Sequence, residues 1–374
     1  MDRATEIALI EELLGLNDQG LAYLDETVTF SPLERYNDAD RFAAERAMFR
    51  RTPLIVAHSS ELPEPAAFLR RDIAGLPGLL TRDREGQLHA FLNVCRHRGA
   101  RLVEEESGCK NTFSCPYHAW TWTNQGDLRG VPQQKQGFPG LDRKTNALVR
   151  FPAEERHGWI WVLPDRDGTI DLDTFLAPIA KDLDWVDAAN MRIAHSDVVD
   201  CKSNWKTLIE GGIEAYHFRV AHANTIGPHF PDNLSSYQMM GDHMRSFLPK
   251  MELFDADRKK PDSWNIRDLG NIIYSIFPTN QILLMEDHFA WIAMNPVSHD
   301  RTLLRLSTVV PKNSDEPEEH WLRNHKITKT TLMEDFVIGE AVQEGFVSGA
   351  NTHHTLGRFE GALTAFNAVV ERHL

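Results

Sequence analysis

Cys95-Arg96-His97-Arg98-Gly99 and Cys115-Pro116-Tyr117-His118-Ala119-Trp120 are the stretches that decide how this chain is read. Each puts one thiol and one imidazole into a short loop, and seventeen residues separate His97 from Cys115. Two cysteines and two histidines suit a structural zinc ion, whose ligand pairs are commonly spaced by about two to four residues. The one-residue gap between Cys95 and His97 departs from that spacing. The alternative is a [2Fe–2S] cluster with both thiolates on one iron and both imidazoles on the other. Such a cluster needs two facing loops on a rigid β scaffold, and the residues flanking both loops are strand-like.

Short apolar runs at residues 54–57, 79–81, 89–94 and 158–163 read as strands, separated by turn-rich text such as Arg82-Asp83-Arg84-Glu85-Gly86. Residues 45–165 therefore read as a small all-β domain. Before it, residues 5–14 carry helical apolar spacing that ends near Gly15, and residues 36–49 are again helical, with Asp38 or Asp40 as N-cap. After it, the text becomes α+β. A helix is expected over 205–220 and strands over 272–277, 281–285, 289–294 and 303–308. Ser298-His299-Asp300-Arg301 closes the last two strands into a hairpin. A long helix follows Pro317 and runs to about Ser348. Residues 223–241 lack regularity and are a lid candidate, since long loops without structure are often functional.

Composition narrows the class. The 374 residues exceed what one hydrophobic core usually serves. Lys+Arg 40 against Asp+Glu 54 leaves a net charge of −14, which repels phosphate backbones and anionic lipid, so neither nucleic acid nor a membrane is the expected partner. No apolar run approaches the roughly 18 residues of a membrane span, and no secretory signal is visible at the start. A cytoplasmic protein is expected. Three of the four cysteines, Cys95, Cys109 and Cys115, lie close together, which speaks for metal or redox chemistry rather than a disulfide framework. Cys109 is outside the paired pattern and reads as a core or strand thiol.

A second constellation lies at residues 204–222, Asn-Trp-Lys-Thr-Leu-Ile-Glu-Gly-Gly-Ile-Glu-Ala-Tyr-His-Phe-Arg-Val-Ala-His. Glu214 and His217 are three apart, hence on one face of a helix, and Glu210 is four before Glu214 on that face. His222 is five beyond His217, so both histidines reach one metal only if the helix ends or bulges between them. By itself this is equally a polar helix face with two unrelated histidines.

The Cys-x-His-Arg-Gly and Cys-Pro-Tyr-His-x-Trp stretches resemble the signature of Rieske iron–sulfur domains, which usually have glycine where Ala119 stands. Asn-Trp-Lys followed by Glu-x-x-His-x4-His resembles the catalytic domain of Rieske non-heme iron oxygenases. The resemblance implies an all-β Rieske domain plus a helix-grip domain, a curved antiparallel sheet against a long C-terminal helix, with residues 1–44 joining 166–374. It implies a [2Fe–2S] cluster on Cys95, His97, Cys115 and His118, and a mononuclear Fe(II) on His217, His222 and an acid of the long helix. Met333-Glu334-Asp335 with Glu340-Ala341-Val342-Gln343-Glu344-Gly345 resembles the family's pattern there and selects Asp335, with Glu334 and Glu340 as rivals. Glu214 matches the acid that bridges the two metal sites between neighbouring subunits. That acid is usually Asp in the ring-hydroxylating branch and Glu in the quaternary-ammonium branch. The implied activity is that of a terminal oxygenase, using O2 to hydroxylate an aromatic or other organic substrate. A quaternary-ammonium monooxygenase or demethylase is the alternative, and a non-catalytic electron carrier fused to a ligand-binding domain is a third. No Gly-x-Gly-x-x-Gly unit is present, so electrons are expected from a flavin reductase, with or without a ferredoxin. A homotrimer is implied.

Overall fold

Segments rich in β-branched and aromatic residues pair antiparallel throughout residues 49–175, one of the two units into which the chain divides in the computed structural model, which describes residues 1–374. Five strands are ordered Arg150–Phe151, Leu88–Leu92, Leu76–Arg82, Ala67–Ile73 and Ser107–Cys109. Ala153–Arg156, Trp159–Val162 and Leu54–His58 form a second sheet, and Thr112–Ser114, Thr121–Thr123 and Leu128–Gly130 a third. Every residue of Trp159–Val162 is buried, as expected of a central strand covered on both faces. The unit has two apolar cores. Phe68, Phe91, Phe113, Trp120 and Trp122 belong to the one that encloses Cys95 and Cys115.

The other unit joins Met1–Met48 to Leu176–Leu374. Its centre is an open seven-stranded antiparallel sheet, ordered Met191–Cys201, Arg301–Pro311, Phe289–Ser298, Asn280–Leu284, Gly270–Ile276, His243–Pro249 and Ser236–Met240. The helix Glu318–Phe346 packs on the first two of these strands and turns Trp321, His325, Thr328, Phe336, Gly339 and Gln343 inward. Steps of three, four and eight between those positions keep them on one face of the helix. A ribbon of Thr29–Pro32 with His353–Leu356 ties the N-terminal segment to this unit. No helix is long and apolar enough to cross a membrane.

Three local expectations are corrected. The first helix is Arg3–Asp18 and passes through Gly15, because a single glycine costs only about 1 kcal/mol. The helix expected over 205–220 is two pieces, Trp205–Gly212 and Phe218–Ala221. The adjacent Gly211 and Gly212 weaken it, and Gly212 meets Gln281 so closely that an added Cβ would lie 2.7 Å from its Oε1. Finally, Ser236–Met240 within the expected irregular stretch is an edge strand, and Gly227–His229 is a 3-10 turn.

Candidate metal centres

The two Cys-His loops share one backbone design. Gly99 and Ala119 each stand four residues after a cysteine and donate N–H to that cysteine's carbonyl at 2.9 Å. Both have positive φ, +81° and +56°, which turns the chain sharply and brings the intervening imidazole back toward its thiol. His97 lies flat on Trp120, with ring centroids 4.9 Å apart, and Phe138 meets it edge-on. His97 and His118 face one another at 4.7 Å.

Two buried thiols outside any disulfide and two buried imidazole nitrogens without a hydrogen-bond partner lie together here. Cys95 and Cys115 are free, and Nδ1 of His97 and Nδ1 of His118 are buried with no hydrogen-bond partner. A buried polar nitrogen left unpaired costs about 1–3 kcal/mol, so a matched pair of orphans is a request for a ligand. Burial pushes the Cys95 thiol up, while the amide N–H groups of His97 and Arg98 aimed at its sulfur favour the thiolate. The donor set fits a cluster with sulfur on one side and nitrogen on the other. Cys109 is not part of it: it lies on an edge strand, is exposed rather than in the core, and donates to Glu64.

The second centre is assembled by the break in the ligand helix. His217 is the N-cap and His222 the C-cap of the single turn Phe218–Ala221. His217 keeps helical backbone angles, whereas His222 leaves them (φ −106°, ψ +25°), which relieves the 140° divergence of a regular helix. Their Nε2 atoms come within 3.2 Å of each other. Asp335 Oδ1 lies 3.4 Å from His217 Nε2 and 3.0 Å from His222 Nε2. The ligand atoms of His217, His222 and Asp335 all lie within 4.8 Å of one another, a group that could hold a metal ion.

The outward nitrogens decide the chemistry. His217 Nδ1 is held by Glu214, whose second oxygen accepts the Tyr216 amide. His222 Nδ1 is bonded to Glu334 at 2.7 Å, and Glu334 also accepts from the Thr225 hydroxyl at 2.6 Å. Carboxylates at Nδ1 fix the tautomer that presents Nε2 as a lone pair. The two Nε2 atoms and a carboxylate oxygen then converge on one point, an arrangement that holds either a shared proton or a cation in its place. Burial opposes a charge on His217, yet Asp335 and Glu214 outweigh it and lift its pKa to about 10. Donor atoms 3.0–3.4 Å apart match neighbouring ligands on a metal with bonds of about 2.1 Å. A two-His-one-carboxylate face suits non-heme Fe(II) and leaves positions open.

Of the rival acids, Glu334 supports His222 from behind, and Glu340 is turned away to the Lys202 amide at 2.9 Å. Glu210 is not on a common face with Glu214. It is buried, accepting from Tyr36 at 2.7 Å and from Asn367 at 2.6 Å. Two anchors of the site were not visible as such in the sequence. Asn204 caps the ligand helix and donates to the carbonyls of Tyr36 and His299. Glu45, 160 residues upstream, accepts from Trp205 at 2.8 Å and from Lys206 at 2.5 Å. The Asn-Trp-Lys triplet was a signal for them, but its partners lie too far along the chain to be paired by inspection.

Residues 188–374 match the family model of the ring hydroxylating alpha subunit catalytic domain, and residues 52–152 that of the Rieske [2Fe-2S] domain. The carnitine monooxygenase oxygenase subunit of Acinetobacter baumannii is 30% identical over 202 residues, 53% of each chain, so the match spans about half the length of that relative. The quaternary ammonium Rieske monooxygenase CntA in complex with L-carnitine superposes with a TM-score of 0.79 at 22% identity, covering 93% of this chain and 96% of that one. Naphthalene 1,2-dioxygenase from Rhodococcus sp. does so with 0.79 at 18% identity, covering 98% and 97%. At such identities the two superpositions speak for the fold.

Proposed function

The chain belongs to the alpha subunits of the Rieske ring-hydroxylating oxygenase family, and from that premise we propose that it is the terminal oxygenase component of a multicomponent system, hydroxylating a small organic substrate with O2 and reductase-supplied electrons. The observation that carries this reading is the convergence of His217 Nε2, His222 Nε2 and Asp335 Oδ1 on one point. We assign these three to a mononuclear Fe(II), and Cys95, His97, Cys115 and His118 to a [2Fe–2S] cluster. When bound, the cluster supplies stored single electrons and the iron supplies activation of dioxygen.

The remaining work falls to side chains of the chain itself. Glu214 and Glu334 hold the Nδ1 protons and so keep both ligand rings oriented. Phe218, with its ring centroid 5.0 Å from His217 and 5.6 Å from His222, excludes water from one side of them. We further assign Glu214 as the bridge to a cluster histidine of a neighbouring copy in a head-to-tail homotrimer. A carboxylate can accept N–H from two imidazoles at once. Electrons come from a flavin reductase, with or without a ferredoxin. A reducing compartment, the cytoplasm, suits four free cysteines of which two are cluster thiolates.

A second reading, a monooxygenase of quaternary ammonium compounds, is favoured by Glu rather than Asp at position 214. Iron and acid-labile sulfide on anaerobically purified protein test the main reading. About three irons to two sulfides are expected, with a Rieske-type EPR signal after reduction. His217→Ala should lower iron to about two with the signal unchanged. Two irons in both proteins would leave only an electron carrier.

A further inference from the structure

A groove of about 560 Å3 runs between the loop after His222 and the first turns of the long helix. Its helix positions, 319, 322–323, 326–327 and 330–331, recur every three to four residues and so form one stripe. Thr225 and Thr331 are among its lining residues. Thr225 bonds the carboxylate that steadies His222, and Thr331 stands one helical turn before Asp335 on the same face. Two lining residues of the groove thus adjoin the residues assigned to iron.

The lining is aliphatic along Ile226, Leu322 and Ile327 and includes no Phe, Tyr or Trp. A quaternary ammonium group is usually recognised by a cage of aromatic faces, and none is offered here. The charged groups on the wall are Glu319, Arg323 and Lys326, with His229 opposite, a balance that favours an anion. Neither cation is used in an ion pair; Arg323 bonds only the His320 ring, at 3.1 Å. From Arg323 to Thr331 the helix climbs about 12 Å, roughly the reach of a ten-carbon chain at three bonds per residue-length of extended backbone. The volume falls among pockets that enclose a drug-sized ligand, about 300–1,000 Å3.

We propose that this groove seats the substrate and selects an elongated amphipathic anion, its apolar body on Ile226, Leu322 and Ile327 and its head group at Arg323 and Lys326. The proposal rests on the oxygenase reading above for the fate of the bound molecule, but the charge preference can be tested without turnover. Calorimetric titration of the full iron-loaded chain with decanoate and with decyltrimethylammonium, equal in length and opposite in charge, provides that test. Decanoate is expected to bind more tightly. Lys326→Glu should weaken decanoate about five-fold or more and strengthen the ammonium, and Ile327→Asn should weaken both. Both side chains are on the exposed surface of the helix, so neither variant should disturb folding. Tighter binding of the ammonium by the unaltered chain, no binding of either probe, or a decanoate affinity indifferent to Lys326→Glu overturns the proposal. Failure of the oxygenase reading would show instead as missing mononuclear iron, with these affinities intact.

Discussion

Ala119 holds a φ of +56° at the place where the companion loop has Gly99 at +81°. The left-handed region costs a residue with a Cβ on the order of 1 kcal/mol that glycine avoids. Ala119 is exposed, so its methyl repays little of this by packing. Ala119→Gly should therefore raise the stability of the Phe49–Phe175 unit by about 0.5–1 kcal/mol while leaving the visible spectrum of the cluster unchanged. A lower melting temperature would show that the strain is compensated elsewhere. The same scale separates Glu334 from Asp335. Neighbours on a helix point about 100° apart, so one reaches the back of His222 and the other faces both Nε2 atoms.

The helix Trp205–Gly212 is anchored at its start more firmly than its eight residues suggest. Lys206 and Glu45 are both fully buried, and burial pulls the Lys206 pKa down while Glu45 pulls it back. Breaking such a pair leaves an uncompensated charge, at a cost of about 3–5 kcal/mol. Glu45→Ala should lose that much in denaturant titrations of the catalytic unit, and Glu45→Gln combined with Lys206→Met should recover most of it. If Glu45→Ala costs less than 1 kcal/mol, the anchor is not the pair. At the other end Gly212 approaches Gln281, whose Nε2 donates to the Ile209 carbonyl at 3.0 Å. The helix is thus gripped at both ends, which sets where the loop carrying Glu214 and His217 begins.

Across the catalytic unit, Glu210 ties together segments far apart in the chain: Tyr36 near the N-terminus, the ligand helix and Asn367 of the C-terminal helix. Burial raises its pKa to about 7 from an ordinary 4.5, with Glu360 adding to the rise and Tyr36, Asn367 and Lys206 opposing it. The folded state therefore holds a proton that the unfolded chain has already released. The resulting stabilisation is complete below about pH 4.5 and is lost as pH climbs through about 7, a change on the order of 3 kcal/mol. Glu210→Gln should flatten the melting temperature between pH 5 and 7.5. An unaltered slope would mean that the carboxylate is charged throughout that range.

Both family signatures were legible from local spacing, because each Cys-His loop is a single backbone turn whose geometry depends on a few adjacent residues. Strand order, by contrast, follows from which apolar faces pack, and pairings such as Met191–Cys201 with Arg301–Pro311 cannot be read along one segment. Helix continuity through residues 213–217 was misjudged for the same reason: the break depends on Gly212 meeting Gln281, a contact across 69 positions. Asp335 was singled out by a motif, but only the fold brings it within 3.4 Å of two histidines more than a hundred residues away. The chain by itself thus determined which donor types are present and the turns that hold them. Tertiary structure decided which donors meet, since convergence of lone pairs from distant segments is a property of packing rather than of sequence order.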